Sequence, residues 1–170
     1  MEPRMHLVIM GVSGSGKTTI ATALAERLGW IYAEADEFHS RENISRMTQG
    51  IALTDEDRKP WLDAIAQWIS LKSRNGESTI VTCSALKRSY RDVLAAADGD
   101  VRFVHLRGDV ELIRSRMKTR TGHFMPESLL ASQVSTLEPL QEGEHGLTVD
   151  NVDTLENVID DIMARLGLAA

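Results

Sequence analysis

The chain has 170 residues, 42% of them hydrophobic, enough for one compact domain with a substantial core. Its net charge of −6 and pI near 5.4 argue against a nucleic-acid partner, which needs a basic face. A lone cysteine, Cys83, excludes an intramolecular disulfide, and no apolar run reaches signal-peptide or transmembrane length, so a cytoplasmic protein with no membrane partner is expected.

In chain order, His6 to Met10 ("HLVIM") is a short, β-branched apolar run that reads as a buried strand. "GVSGSGKTT" follows, and Gly11, Gly16, Lys17 and Thr18 satisfy the phosphate-loop pattern G-x-x-x-x-G-K-[ST]. Ile20, Ala21, Leu24, Ala25 and Leu28 then fall on one helical stripe that Gly29 can stop. Strand, glycine loop and helix together are what a nucleotide phosphate site requires. The loop residues Gly11, Val12, Ser13, Gly14, Ser15, Gly16, Lys17, Thr18 and Thr19 are therefore expected to bind ATP. Lys17 reaches the β/γ-phosphates and Thr18 supplies a ligand for Mg²⁺.

Trp30 to Ala35 reads as the second strand, followed by a helical segment around Glu42 to Thr48 that Gly50 closes. Thr54 can cap the next helix, with acids in its first turn and a buried face of Trp61, Leu62, Ile65, Trp68 and Ile69. Pro60 falls in its early part, tolerated at a helix start and kinking further in. "STIVTCSA" is a third strand, within which Cys83 reads as a buried structural thiol, and Val101 to Leu106 is a fourth. A long helix is expected from about Asp109 to Thr119, another from about Pro126, and "GLTVD" as a short fifth strand. The last helix carries the stripe Leu155, Val158, Ile159, Ile162, Met163 and Leu166. Strands alternating with helices predict an α/β fold: a five-stranded parallel sheet covered on both faces.

In such sheets ligands sit beyond the carboxyl ends of the strands. Strand two ends at Asp36, Glu37, His39 and Arg41; strand three at Ser84, Lys87 and Arg88. Asp36, beside the phosphate loop, is placed to take the proton of an attacking hydroxyl, or else to cap the next helix. His39 is a substrate contact, a helix-start residue or a partner for Asp36. Arg116 and Arg120 share a helix face in "RMKTRTGHF", and a glycine follows. Basic residues there, Arg114 and Lys118 included, can simply answer the helix dipole. They also suit a lid at about 119–127, which would exclude water and place Arg116 and Arg120 on ATP, with Arg120 on the transferring phosphoryl group. Water exclusion matters only when another acceptor takes the phosphate, which favours a kinase. The guanine-reading N-K-x-D and the switch D-x-x-G are both absent, against a GTPase switch; a non-catalytic nucleotide-binding module would leave Asp36 and the lid arginines without a role.

"GVSGSGKTT", "DEFHSRENISRMTQGIALTDEDRKPWL", "CSALKRSYRD" and "RTGHF" together resemble the gluconokinase family, small P-loop kinases similar in fold to shikimate and adenylate kinases. The resemblance runs over nearly the whole chain and is weakest over the last forty or so residues. One departure is "EAD" at Glu34 to Asp36, where the family often has "DGD"; Asp36 is kept. The resemblance implies a single kinase domain over residues 1–170, usually a homodimer, phosphorylating D-gluconate at its 6-hydroxyl with ATP and Mg²⁺. The alternative is a same-fold kinase for another small hydroxylated acid such as shikimate. Gluconate needs a base at the reacting end, hydrogen bonds along the polyol and a cation for its carboxylate. Asp36 suits the first need, His39 and Lys87 the middle, and Arg58 the last, with Arg88 as a further substrate contact. Arg58 could instead pair with Asp55 or Asp57 on the surface.

Overall fold

The structure is a computed structural model that describes residues 4–12, 14–51, 53–108, 127–151 and 153–168. The expected 109–119 helix, the lid of about 119–127 up to its last residue, Ser13, Arg114, Arg116, Lys118 and Arg120 lie outside the described residues.

The strands are β1 (Met5–Met10), β2 (Ile31–Glu34), β3 (Thr79–Thr82), β4 (Asp100–Arg107) and β5 (Gly146–Asp150). They form one sheet in the order β2-β3-β1-β4-β5, every pairing parallel. The helices are α1 (Lys17–Leu28), α2 (Arg41–Thr48), α3 (Asp55–Arg74), α4 (Arg88–Ala95), α5 (Glu127–Thr136) and α6 (Leu155–Leu166), with a 3-10 turn over Ala35–Phe38.

Because successive side chains leave a strand on opposite faces, β1 feeds two cores at once. Val8 and Met10 pack with Trp61, Leu62, Ile65 and Ile69 of α3 and with Tyr90 and Leu94 of α4. Leu7 and Ile9 pack with Ile20, Ala21 and Leu24 of α1 and with Val158, Ile159 and Ile162 of α6. Burial on both faces is why these strands read as continuous apolar runs. Each fully buried aliphatic side chain contributes about 1.5–3 kcal/mol, and the stripes of α1, α3 and α6 convert that term into a fixed layer order. Two stripe residues sit differently from expectation. Leu155, the first residue of α6, is exposed, and Trp68 is only partly buried.

Local chemistry explains the boundaries. Thr54 caps α3 through a reciprocal pair: its hydroxyl accepts from the Asp57 N–H, and the Asp57 carboxylate accepts from the Thr54 N–H. The helix then continues through Pro60 to Arg74, so the proline removes one donor without ending it. β3 stops at Thr82, short of the expected Ala85, because Ala85 takes a positive φ of 45° that no strand can accommodate. Buried Arg91 secures that turn, donating to the Ala85 carbonyl at 2.9 Å while its guanidinium pairs with Glu144 at 2.6 Å.

Three histidines are buried or half-buried and held below their ordinary pKa. His6 is lowered by burial against a smaller opposing pull from Asp100, and its Nδ1 meets the Thr79 hydroxyl at 2.8 Å. His105 is lowered by burial, then by Arg91, Arg107 and Lys17. His39 is pushed down to about 4 by burial and then by Arg58. A depressed folded pKa means that the unfolded chain takes up these protons first. The histidine contribution is therefore fully present above about pH 6.5, the unfolded value, and is lost as pH falls toward the folded values. We expect Tm to hold between neutral and mildly alkaline pH and to fall between about pH 6.5 and 5, before carboxylates titrate. Thermal unfolding across that range checks this; a Tm that stays level would mean the rings protonate inside the fold without cost.

Candidate active site

The phosphate loop joins β1 to α1 at the carboxyl edge of the sheet. Gly11 is needed for room: a Cβ there would lie 2.7 Å from the Leu106 carbonyl and 2.8 Å from the Ser15 hydroxyl. Gly16, the residue capping α1, has φ 99°, a conformation that glycine adopts readily. α1 has no acidic residue in its first turn and no side-chain cap, so its N-terminal N–H groups and dipole are left for an anion. Lys17 folds back on the loop, its Nζ donating to the carbonyls of Gly11 (3.0 Å) and Val12 (2.9 Å). A cation, a helix start and a turn of small residues thus converge, as a triphosphate site demands.

Thr18 donates its hydroxyl hydrogen to Glu34 at 2.5 Å, and Tyr32 donates to the same carboxylate oxygen at 2.6 Å. Burial, then Glu34, push the Tyr32 hydroxyl well above its ordinary range, which keeps it a donor. Thr18 and Glu34 bring a hydroxyl and a carboxylate together beside the loop. That hard, all-oxygen pair fits Mg²⁺, which takes one or two protein oxygens and completes its shell with phosphate and water. No group of three or more His, Cys, Asp or Glu able to hold a metal occurs among the described residues, so a dedicated protein cage is not what the site offers.

Asp36 lies in the 3-10 turn just past β2 and is exposed. It does not cap α2; Ser40 does, accepting from the Asn43 N–H at 3.1 Å. Cys83, at the end of β3, is buried as expected and its thiol is pushed up to about 12, first by burial. The charges of Lys17, Asp36 and Arg58 all act on that thiol, so each lies within electrostatic reach of the end of β3. The phosphate-loop lysine, the strand-two acid and the α3 arginine therefore share one region.

His39 stacks on Trp61, with ring centroids 4.1 Å apart and planes 12° from parallel, while the Trp61 indole N–H donates to the Ala35 carbonyl at 2.7 Å. Burial, then Arg58, push His39 down to about 4, so its ring is neutral at physiological pH. Its Nδ1 is buried and has no hydrogen-bond partner among the described residues.

Arg58 and Lys87 meet around Asp55, one of the two surface partners weighed for Arg58, and Tyr90, which the sequence reading does not single out. The Tyr90 hydroxyl donates to Asp55 at 2.5 Å and accepts from the Arg58 guanidinium at 2.9 Å. Lys87 Nζ lies 3.2 Å from both Asp55 oxygens, and Arg58 is 3.8 Å from one of them. Tyr90, then Lys87, hold the Asp55 carboxyl below its usual range. Of the two surface partners weighed for Arg58, Asp57 is engaged elsewhere, with Thr54 and with Arg46 at 2.7 Å. Arg88 does not join this cluster. It is the first residue of α4, and its guanidinium turns to Gln141 at 3.1 Å while its backbone N–H donates to Glu138. Asp55 stands three residues before Arg58 and Tyr90 three residues after Lys87, a spacing that lets each pair meet.

This geometry has relatives. A family model described as an AAA domain matches residues 7–140. A gluconokinase of Gluconobacter oxydans (strain 621H) is 43% identical over 163 residues, covering 96% of this chain and 91% of that protein. The chain belongs to the gluconokinase family. Among solved structures, a sugar kinase from Janibacter sp. HTCC2649 superposes with a TM-score of 0.94 at 53% identity, covering 98% of this chain and 96% of that one. A gluconokinase from Sinorhizobium meliloti 1021 does so with a TM-score of 0.85 at 44% identity, covering 98% and 94%. The expected α/β kinase fold with its phosphate loop agrees with the described sheet and with these neighbours.

Proposed function

We propose that the protein transfers the γ-phosphoryl group of ATP to the 6-hydroxyl of D-gluconate, giving 6-phospho-D-gluconate and ADP. The observation that carries this reading is the Arg58–Lys87 pair held around Asp55 and Tyr90, at the strand ends that also carry the phosphate loop with Lys17 and the turn with Asp36. Together these supply a phosphate cation, an acceptor for a hydroxyl proton and a cation for a carboxylate. That these relatives are gluconokinases supports reading the acid as gluconate and not shikimate.

In this reading the loop amides and Lys17 hold the β- and γ-phosphates, and Thr18 with Glu34 holds Mg²⁺. Bound there, Mg²⁺ supplies positive charge to the phosphate oxygens during transfer. Asp36 orients the 6-hydroxyl and accepts its proton as the new P–O bond forms and the bond to ADP breaks. Neutral His39 hydrogen-bonds a hydroxyl of the polyol. Arg58 and Lys87 carry two positive charges against the single charge of Asp55, so their cluster favours a second carboxylate, that of gluconate. Arg116 and Arg120 act from a lid over ATP, within a single domain of residues 1–170. We further take the protein to be a cytoplasmic homodimer without nucleic-acid or membrane partners. An ATP-requiring reaction supports the first, and the acidic pI supports the absence of nucleic acid. No helix among the described residues is long and apolar enough to cross a membrane.

A coupled ADP-release assay across gluconate, shikimate and nucleoside monophosphates tests the acceptor, with gluconate expected to be turned over fastest. Arg58→Ala should raise the gluconate KM by roughly ten- to a hundredfold, the cost of one charge-assisted contact of about 1.5–3 kcal/mol, and leave the ATP KM alone. The neutral alditol should lose its disadvantage in that variant. Faster turnover of shikimate would replace gluconate as the substrate, and an intact preference for gluconate over the alditol would move the carboxylate to Lys87.

A further inference from the structure

At the carboxyl end of β5, the residue after Asp150 reaches across to the phosphate loop. The Asn151 side-chain amide Nδ2 donates to the Ser15 carbonyl at 2.7 Å, linking residues far apart in the chain. Asn151 is itself fixed from behind, its backbone N–H donating to the Arg107 carbonyl at 2.8 Å. Beside it, Arg107 grips the Asp150 carboxylate with two bonds, of 2.7 and 3.2 Å. The ends of β4 and β5 are thus tied together before Asn151 meets the loop. The approach is close: a Cβ on Gly16 would lie 2.5 Å from Asn151 Nδ2.

The peptide joining Ser15 and Gly16 is planar, and the chain holds no cis bonds among the described residues. In a trans peptide the N–H points opposite the C=O. A carbonyl held onto Asn151 therefore turns the Gly16 N–H to the other side of the loop, away from Asn151. Phosphate-binding loops work by presenting successive N–H groups to the anion, and a peptide free to flip would present a carbonyl oxygen instead. We propose that Asn151 is a positioning residue for ATP: it fixes the Ser15–Gly16 peptide so that the Gly16 N–H faces the phosphates. Gly16 is then glycine for two reasons, its left-handed backbone and the side chain pressed against it. The inference rests on the loop holding triphosphate, not on which acceptor takes the γ-phosphate.

Asn151→Ala tests it, with Asn151→Asp as a variant of nearly the same shape that replaces the amide donor by an acceptor. Affinity for ATP and for inorganic tripolyphosphate is measured by calorimetry, alongside KM for gluconate and Tm. Asn151→Ala should weaken ATP and tripolyphosphate by the same factor, up to about tenfold for one neutral hydrogen bond. Asn151→Asp should weaken both further, because its carboxylate repels the Ser15 carbonyl and the phosphates alike. Tm and the gluconate KM should stay at wild-type values. Loss of ATP affinity with tripolyphosphate unchanged would make Asn151 a contact of the nucleoside and overturn the proposal, as would two variants that bind both probes normally. If Asn151→Ala failed to fold, the Asp variant would carry the comparison alone. Wild-type protein that did not bind tripolyphosphate in competition with ATP would instead remove the phosphate-loop reading.

Discussion

Lys17→Ala is expected to reduce ATP-dependent turnover by at least about 10²–10³, the usual loss when one preorganised group facing developing charge is removed. The fold should survive. Lys17 opens α1, where alanine is a strong helix former, and the packing of that helix comes from Ile20, Ala21, Leu24 and Ala25 in the turns that follow. Its ammonium donates to the Gly11 and Val12 carbonyls of the loop, at the end of the helix away from most of its buried stripe. Lys17→Arg should be nearly as poor, since a planar fork cannot replace the compact charge that meets the Gly11 and Val12 carbonyls. Coupled ADP release with gluconate, set beside the thermal unfolding curve, separates the two effects. Turnover near wild type with a normal Tm would remove the loop from the reaction.

The architecture is legible in the sequence where one physical signal dominates. β1, the glycine loop and α1 follow from an apolar run, a turn rich in glycine and a single stripe, and each lies where expected. Thr54 and its acidic first turn locate the start of α3 because capping is a local matter. Strand ends are less legible, because they depend on what the chain does next. β3 ends early at the Ala85 turn, which buried Arg91 holds from α4. Nothing local marks Arg91 as a core residue; its partner Glu144 lies 53 positions away.

The site divides in the same way. Lys17, Asp36, His39 and Lys87 can be read off the carboxyl ends of strands and the turns that follow, whereas Arg58, inside α3, is suggested only by the carboxylate of gluconate. Tyr90 lies on α4, a helix the sequence reading does not foresee, and its hydroxyl connects Arg58 to Asp55 across the α3–α4 contact. Lys87 and Arg88 are adjacent and alike in charge, but they part company at the helix boundary. Lys87 is the extended capping residue of α4 and points to Asp55; Arg88 is already helical and turns to Gln141. Asn151 follows from the rule that ligands gather beyond strand ends, applied to β5 as well as to the first four strands. Tertiary pairing, which spacing cannot encode, accounts for the residues that escape a sequence reading.

Asp36→Asn should leave gluconate binding nearly intact and cut kcat by roughly 10²–10⁴, the range for loss of a positioned general base. The substitution is close to isosteric, and the α2 cap it could have disturbed belongs to Ser40, so a loss of activity would not be a loss of fold. The size of the fall reports on the transition state. In a loose transition state the hydroxyl proton leaves late, and a carboxylate then acts mostly by orienting the nucleophile. Asparagine keeps a carbonyl oxygen that can still accept from the hydroxyl, so a fall near the lower end of the range marks orientation and a fall near the upper end marks proton acceptance. KM alone cannot separate binding from chemistry when product release is slow, so a direct gluconate affinity and a single-turnover rate are needed together. An unchanged single-turnover rate would mean that the proton leaves without Asp36, and that the acid beside the phosphate loop has no part in the transfer.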